Sequence, residues 1–330
     1  MTAPAIQQRT EAWHELRRVS IGSSDLPVLA GLSPWKSEYE LAMEKLGLMP
    51  VEVRDGVDPR LVGEILEPGI LELYRRQTGR QAKQQHGVRT AAKQGLPWAI
   101  ASLDALTINE KPNRIVELKH SYAAKWRGTA LPEDVEIQVM WQLGVAGYDR
   151  ADVCALVYGL PRVYELAFDP SYYRDLLVLA ERFRARLDAG EMPDPDGSDS
   201  ARRAIAARYP VDDGSFLPAS DETNAIAREI REAELEAKAA SDREATAKNA
   251  MRALLGEASG VGDLKVDGYQ ISWKAAKDTT ATDWEATARW LSAAIDPKAF
   301  EDAIAIHTLT KPGSRRLLAR FDLVEEESTR

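Results

Sequence analysis

Between Trp98 and His120 the chain turns back on itself, and this hairpin constrains the fold more than any other stretch. Ser102-Leu103-Asp104-Ala105 lies in the outgoing run, Asn109-Glu110-Lys111-Pro112-Asn113 makes a turn, and Ile115-Val116-Glu117-Leu118-Lys119 returns. Residues i and i+2 of a strand share a face, so Glu117 and Lys119 point one way while Val116 and Leu118 point into the core. An antiparallel return sets the Asp104 carboxylate beside Glu117. Two hard oxygen ligands within reach of one another suit magnesium, which keeps several waters and shares substrate phosphate oxygens. A lysine beside them can hold a water that the metal acidifies. The same pattern also fits a solvated hairpin face with cross-strand ion pairs. These residues alone leave both readings open.

The flanking sequence places the hairpin in a mixed α/β core. Ser37-Glu38-Tyr39-Glu40 is a capping box for a helix over Ser37–Leu46, closed by Gly47. Asp58-Pro59 opens a second helix through Gln77, with Gly79 past its end and a kink expected at Pro68-Gly69. Strand segments are expected around Val88–Thr90, Trp98–Ser102, Leu103–Ile108 and Arg114–His120. An amphipathic helix follows over Glu133–Tyr148, then strands over Ala151–Tyr158 and Val163–Phe168, then a helix over Ser171–Ala189. The Pro/Asp/Ser-rich texture after Gly190 reads as linker, which divides the chain into residues 1–190, a linker 191–220, and a C-terminal extension 221–330. That extension holds a long Ala/Glu/Lys/Arg helix, Asp221–Glu257, with the composition of a coiled-coil arm. After it come two strands around Asp267-Gly268, a short helix over Asp283–Ala294, and a basic strand, Ser314–Phe321. No internal repeat is present.

Composition excludes several classes. One cysteine, Cys154, rules out an intramolecular disulfide and a Cys-rich zinc or iron–sulfur site supplied by one chain; within an apolar strand it reads as buried and inert. No apolar run approaches the roughly 18 residues of a membrane span. The first nine residues lack a signal-peptide pattern, so a cytoplasmic location is expected. Net charge is -9, so any nucleic-acid contact must come from local basic patches. Basic residues available for this include Arg75, Arg76, Arg80, Lys83, Arg89, Lys93, Lys125 and Arg127, with Arg315, Arg316 and Arg320 near the C-terminus. Trp13 and Trp35 read as core anchors, and His14 and His120 as surface or packing residues.

Five motifs in order between Arg9 and Phe168 resemble the YqaJ-like viral recombinase family, relatives of lambda exonuclease. Trp13-His14-Glu15-Leu16-Arg17 with Ile21-Gly22-Ser23-Ser24-Asp25 is similar to its WHxxR…(T/G)xS(D/E) entry, continued by Gly31–Lys36 and Glu44–Gly47. Gly63-Glu64-Ile65-Leu66-Glu67-Pro68 is similar to its GxxxEP helix. Ser102–Ala105 stands where the family has SPDG, Ile115–Lys119 where it has (G/L)xE(I/L)K, and Gln138–Leu143 where it has QVQxQ. Leu103, Ala105 and Met140 depart from the pattern without removing a functional group. The resemblance implies a PD-(D/E)XK restriction-endonuclease-like core with a mixed central sheet flanked by helices. It implies an Mg²⁺-dependent DNA nuclease, with Mn²⁺ as a substitute, resecting linear double-stranded ends 5′→3′. It also implies an annealing partner protein and homo-oligomeric rings as features of the family.

Residue by residue, the resemblance implies that Asp104, Glu117 and the Leu118 carbonyl ligate metal, and that Glu67 completes the shell directly or through water. Lys119 serves the water, Gln138 positions lysine or water, and Arg17 and Ser24 grip a phosphate. Glu64 and Glu67 lie one helical turn apart; the motif spacing points to Glu67, and an ordinary polar position on its helix is the lesser alternative for Gln138. A structure-selective or nicking endonuclease, or a catalytically silent DNA-binding scaffold of a recombination complex, stand as alternatives.

Overall fold

The computed structural model describes residues 10–49, 59–263, 265, 269–275, 281, 283–292 and 296–307. It divides into two compact units, Met1–Pro210 and Val211–Arg330. The first unit is a mixed α/β core. Its entry comprises α1 (Glu11–Val19), the two-residue strand β1 (Ile21–Gly22), the short α2 (Leu26–Leu29) and α3 (Glu38–Lys45). Then come α4 (Pro59–Thr78), β2 (Ala82–Gln84), β3 (Val88–Ala91), β4 (Leu96–Ser102), β5 (Ala105–Thr107) and β6 (Ile115–Ser121). After β6 the chain forms α5 (Glu133–Ala146), β7 (Arg150–Val157), β8 (Leu160–Ala167), α6 (Pro170–Asp188) and α7 (Asp199–Arg208).

Two sheets result. One has the order β1-β4-β3; the other, five-stranded, has the order β2-β5-β6-β7-β8. In the larger sheet β6 and β7 are parallel, while β5 and β8 pair antiparallel with their neighbours. A parallel pair cannot be joined by a tight turn, and α5 supplies the crossover between β6 and β7. The alternation in these strands then separates two layers. Ile115 of β6 and Ala151, Val153, Ala155 and Val157 of β7 join the core against α2, α5 and α6. Val116, Leu118 and Cys154 face the opposite way, with Ile70, Leu71 and Tyr74 of α4. Burial there pushes the Cys154 thiol up to about 11, consistent with an inert side chain.

Several expectations change in detail. The 191–220 stretch is not all linker: α7 packs on α3, burying Ser200, Ala201 and Ala204. Ser37 caps α3 by accepting from Glu40 N–H, but Glu40 does not complete the box, because its carboxylate bonds Ser200 Oγ of α7. The Ser37 N–H goes to Ser200 Oγ instead, at 2.8 Å. Helix α4 runs on through Pro68 as one element. Helix α5 is buried on most of its sides rather than along one stripe, since it lies under both sheets and beside α2 and α6. Gly144 permits the closest of these approaches, as a Cβ there would stand 2.3 Å from the Tyr173 ring of α6. Trp35 is 81% exposed on the turn before α3, so it is not a core anchor. Trp13 is half-buried, and His14 is exposed against its edge.

In the second unit α8 (Asp221–Leu255) starts at a capping box between Ser220 and Thr223. β9 (Gly260–Val261) and β10 (Ile271–Ser272) pair antiparallel, as the sequence predicts, around a turn that lies outside the described residues. α9 (Trp284–Ser292) matches the short helix, and α10 (Pro297–His307) was not anticipated. The expected strand Ser314–Phe321 lies outside the described residues. Among the described residues no helix is long and apolar enough to cross a membrane.

One buried ionic network ties α4 to the sheet. Asp152 of β7 is fully buried; its two oxygens accept from Tyr74 Oη at 2.6 Å, Arg80 at 3.0 Å and Arg114 at 2.7 Å. Glu110 and Glu165 engage the same two guanidinium groups. Arg80 is thereby committed to structure rather than free for phosphate. Asp152→Ala leaves two partly buried cations with less compensation, and is expected to cost about 3–5 kcal/mol of stability. Urea denaturation of the variant against the unmodified chain measures this loss.

Candidate active site

The candidate site forms where the two sheets meet. β4 ends at Ser102 in the smaller sheet, and β5 begins at Ala105 in the larger, so Leu103-Asp104 is the junction. Ala105 pairs with Val116 and Leu106 with Ile115. Continued by one residue, that antiparallel register sets Asp104 opposite Glu117. The Leu118 N–H donates to Asp104 Oδ2 at 2.8 Å, which fixes the carboxylate at the strand edge. The side chain of Leu118 is buried toward α4.

Glu117 is 2% exposed and is held by three contacts. Gln138 Nε2 donates to Oε1 at 2.7 Å, and Lys119 Nζ lies 2.7 Å from the same oxygen. Gln142 Nε2 donates to Oε2 at 2.8 Å and to the Ser102 carbonyl at 3.1 Å. Lys119 Nζ also donates to Gln138 Oε1, at 3.0 Å. Gln138 therefore touches both charged groups, rather than standing as an ordinary polar position on its helix. Gln142 was not singled out from the sequence. The signal for it was two glutamines at i and i+4 on one face of a helix that is otherwise apolar beyond its acidic first turn.

The charges are not balanced. Burial pushes the Asp104 carboxyl well above its usual range, and the negative charge of Glu117 adds to this. Lys119 and the Leu118 N–H pull the other way, and Glu67 of α4 is close enough to raise it further. Burial alone would lower the Lys119 pKa, but Glu117 and Asp104 outweigh it, so the side chain is held as an ammonium. Among the described residues no three His, Cys, Asp or Glu side chains form a ready metal cage. The donor set is the Asp104–Glu117 pair, with Glu67 nearby. Two carboxylates beside one ammonium, with the charge of Glu67 reaching Asp104, supply the hard oxygen donors that a divalent cation takes.

Arg17 and Ser24 lie together, Arg17 Nη2 donating to Ser24 Oγ at 2.9 Å. Arg17 also stacks over Trp13 at 4.9 Å and stands 3.8 Å from Asp25. β1 runs parallel to β4 with Gly22 opposite Ile100, which carries Ser24 toward the Ser102 end. Trp13 Nε1 donates to Ser102 Oγ at 3.5 Å, linking α1 to that end. A buried lysine holds this entry segment in shape: Lys45 Nζ donates to the Arg17 and Ser20 carbonyls and to Asp25 Oδ2 at 2.6–2.7 Å. Although burial raises the Asp25 carboxyl, Lys45 and Arg17 outweigh it and hold it below the usual range. Neither Asp25 nor Lys45 was assigned a role from the sequence.

These features define a mixed α/β protein with a carboxylate pair, Glu117 buried and Asp104 half-buried, and a lysine at a sheet junction. Residues 12–149 match the YqaJ-like viral recombinase domain. The protein YqaJ of Bacillus subtilis is 25% identical over 271 residues, covering 80% of this chain and 83% of the relative. An alkaline exonuclease from Laribacter hongkongensis superposes at 17% identity over 55% of this chain and 94% of its own, with a TM-score of 0.44. A phage-related exonuclease from Haemophilus somnus covers 54% of this chain and 98% of its own at 12% identity, with a TM-score of 0.39.

The Asp104 shift has a testable sign. The folded pKa lies above the unfolded value, so the folded metal-free chain binds the extra proton. Its stability therefore falls as pH rises from the unfolded pKa, about 3.9, toward the folded one. Asp104→Asn removes that fall. Without added divalent ions, the variant is expected to melt higher than the unmodified chain at neutral pH, and the gap should close toward pH 4. Thermal denaturation in chelator across pH measures it.

Proposed function

We propose that the N-terminal domain is a divalent-metal-dependent DNA nuclease that resects linear double-stranded ends, with 5′→3′ polarity. The observation that carries this reading is the Asp104–Glu117 pair on adjoining strands, one carboxylate held above its usual pKa by burial and by the other, with Lys119 bonded alongside. The match of residues 12–149 to the YqaJ-like viral recombinase domain agrees with it. Asp104 and Glu117 would hold Mg²⁺ or Mn²⁺, with Glu67 and the Leu118 carbonyl completing the shell. Such an ion supplies an acidified water and charge neutralisation on the phosphate.

The chain's own residues do the rest. Lys119, kept protonated by its two carboxylate neighbours, is a hydrogen-bond donor and not a base. It can orient a water oxygen or a non-bridging phosphate oxygen. Gln138 fixes the ammonium by accepting from it, and fixes Glu117 by donating to it. Gln142 holds the second Glu117 oxygen, so the carboxylate cannot rotate away from the strand edge. Arg17 and Ser24 offer a guanidinium and a hydroxyl to a terminal or scissile phosphate. Hydrolysis then leaves a 5′-phosphate and a 3′-hydroxyl. An annealing protein and a ring-forming homo-oligomer are the partners this activity would use.

Digestion of end-labelled linear duplex against covalently closed circles, with and without Mg²⁺, tests the reading. Metal-dependent loss of the linear DNA alone is expected; cutting of closed circles would replace it with an endonuclease. Glu117→Ala is expected to lower cleavage at least a thousand-fold while leaving DNA binding within a few-fold. Lys119→Ala should reduce kcat by about 10²–10³, as expected for loss of one charge-stabilising donor, with little change in the Mg²⁺ concentration for half-maximal rate. Wild-type rates in Glu117→Ala would refute the site.

A further inference from the structure

A second feature of the N-terminal unit lies beside the carboxylates on the side away from Arg17 and Ser24. Between α4 and the edge strand β2 is a cavity of about 310 Å³, lined by Pro68, Leu71, Arg75, Lys83, Gln84 and His86. Its walls join the candidate site at two points. Pro68 directly follows Glu67. On the other wall Gln84 pairs with Ala105, and the Gln85 N–H donates to the Asp104 carbonyl at 2.9 Å.

The lining combines a small apolar floor with basic and hydrogen-bonding groups. Arg75 is fixed in place, donating from Nε and Nη2 to the Ala82 carbonyl at 3.1 and 2.6 Å. Lys83 and His86 are exposed, and no bond or ion pair joins their side chains to another described residue. Acidic groups outnumber basic ones in this chain, and Arg80, Arg114 and Lys125 are all paired with carboxylates. At this cavity Arg75 is also paired with Glu72 at 3.4 Å, which leaves Lys83 as a cation with no carboxylate on it among the described residues. Its volume is at the lower end for small-ligand pockets, roughly 300–1,000 Å³, which suits one nucleotide unit and not a duplex.

The geometry points to a nucleotide subsite: the cavity takes one phosphate–deoxyribose unit of the strand being cut, on the far side of the scissile phosphate from Arg17 and Ser24. This rests on the nuclease reading. A strand whose phosphate lies at Asp104 and Glu117 must leave the centre in both directions. In sheet order the Arg17–Ser24 pair is reached through β1 and β4, and the cavity through β5 and β2, with Asp104 between them. Pro68 and Leu71 suit the apolar faces of a sugar. Lys83 and His86 supply donors to its phosphate, and Arg75, held by the Ala82 carbonyl and by Glu72, forms the wall.

The test uses the full chain and the double variant Lys83→Ala/His86→Ala, whose two positions are exposed, so folding is not at stake. Fluorescence anisotropy of a labelled linear duplex, in chelator and across a salt series, reports Kd and its salt slope. The expected result is a Kd weakened about five- to twenty-fold at fixed salt. The slope of log K against log salt should fall by about one, as for one lost phosphate contact. In Mg²⁺ the loss should fall on KM more than on kcat, and Lys83→Arg with His86 retained should keep the slope.

A variant with unchanged Kd and slope, in a chain that cuts linear DNA, would overturn the subsite and leave the nuclease reading standing. A chain that binds DNA without cutting would overturn the nuclease reading, while the slope still decides the subsite. Failure of the unmodified chain to bind DNA would overturn both.

Discussion

The arrangement depends on satisfying both oxygens of one carboxylate where water hardly reaches it. Glu117 is buried, and an ionised group in such a place is stable only when its oxygens are hydrogen-bonded and a counter-charge stands close. Gln138 and Gln142 supply the bonds and Lys119 the charge. Both glutamines come from α5, so this helix must lie under the site in one rotation. The parallel β6–β7 pair makes α5 the crossover between them, and Gly144 lets α6 press it into place against Tyr173.

The opposite layer does comparable work without chemistry. α4 carries Glu67, whose charge reaches Asp104, and Pro68 removes one backbone donor in mid-helix. Tyr74, one and a half turns further on, bonds the buried Asp152, and the apolar side chains of α4 cover Val116 and Leu118. Arg80 and Arg114 neutralise Asp152 from the loops on either side. The helix is thereby fixed to the same strand, β6, whose other face carries Glu117 and Lys119. One strand thus coordinates the two layers through its alternation alone.

Much of this was legible because strand alternation and helix capping are local. The register that sets Asp104 opposite Glu117 follows from the hairpin spacing, and the inward direction of Val116 and Leu118 from the period of two. Ser37, Gly47 and Gly79 marked helix ends for reasons contained within a few residues. The second half of the capping box at Glu40 was not legible, because α7 competes for its carboxylate from 160 positions away. The short strands β1 and β2 were missed because two or three residues carry no periodicity. Trp35 was misassigned because its size says nothing about whether another element covers it.

By itself, then, the amino-acid order determined which residues share a face, where helices begin and end, and that Asp104, Glu117 and Lys119 can meet. Those outcomes rest on backbone geometry repeated every two or 3.6 residues. Tertiary structure alone decided that Gln142 joins Gln138 on Glu117, that Lys45 is buried to shape the entry segment, and that Arg80 serves Asp152. Each of those depends on desolvation and on partners brought from distant positions, and no local pattern encodes the energy of a charge until the fold has removed its water.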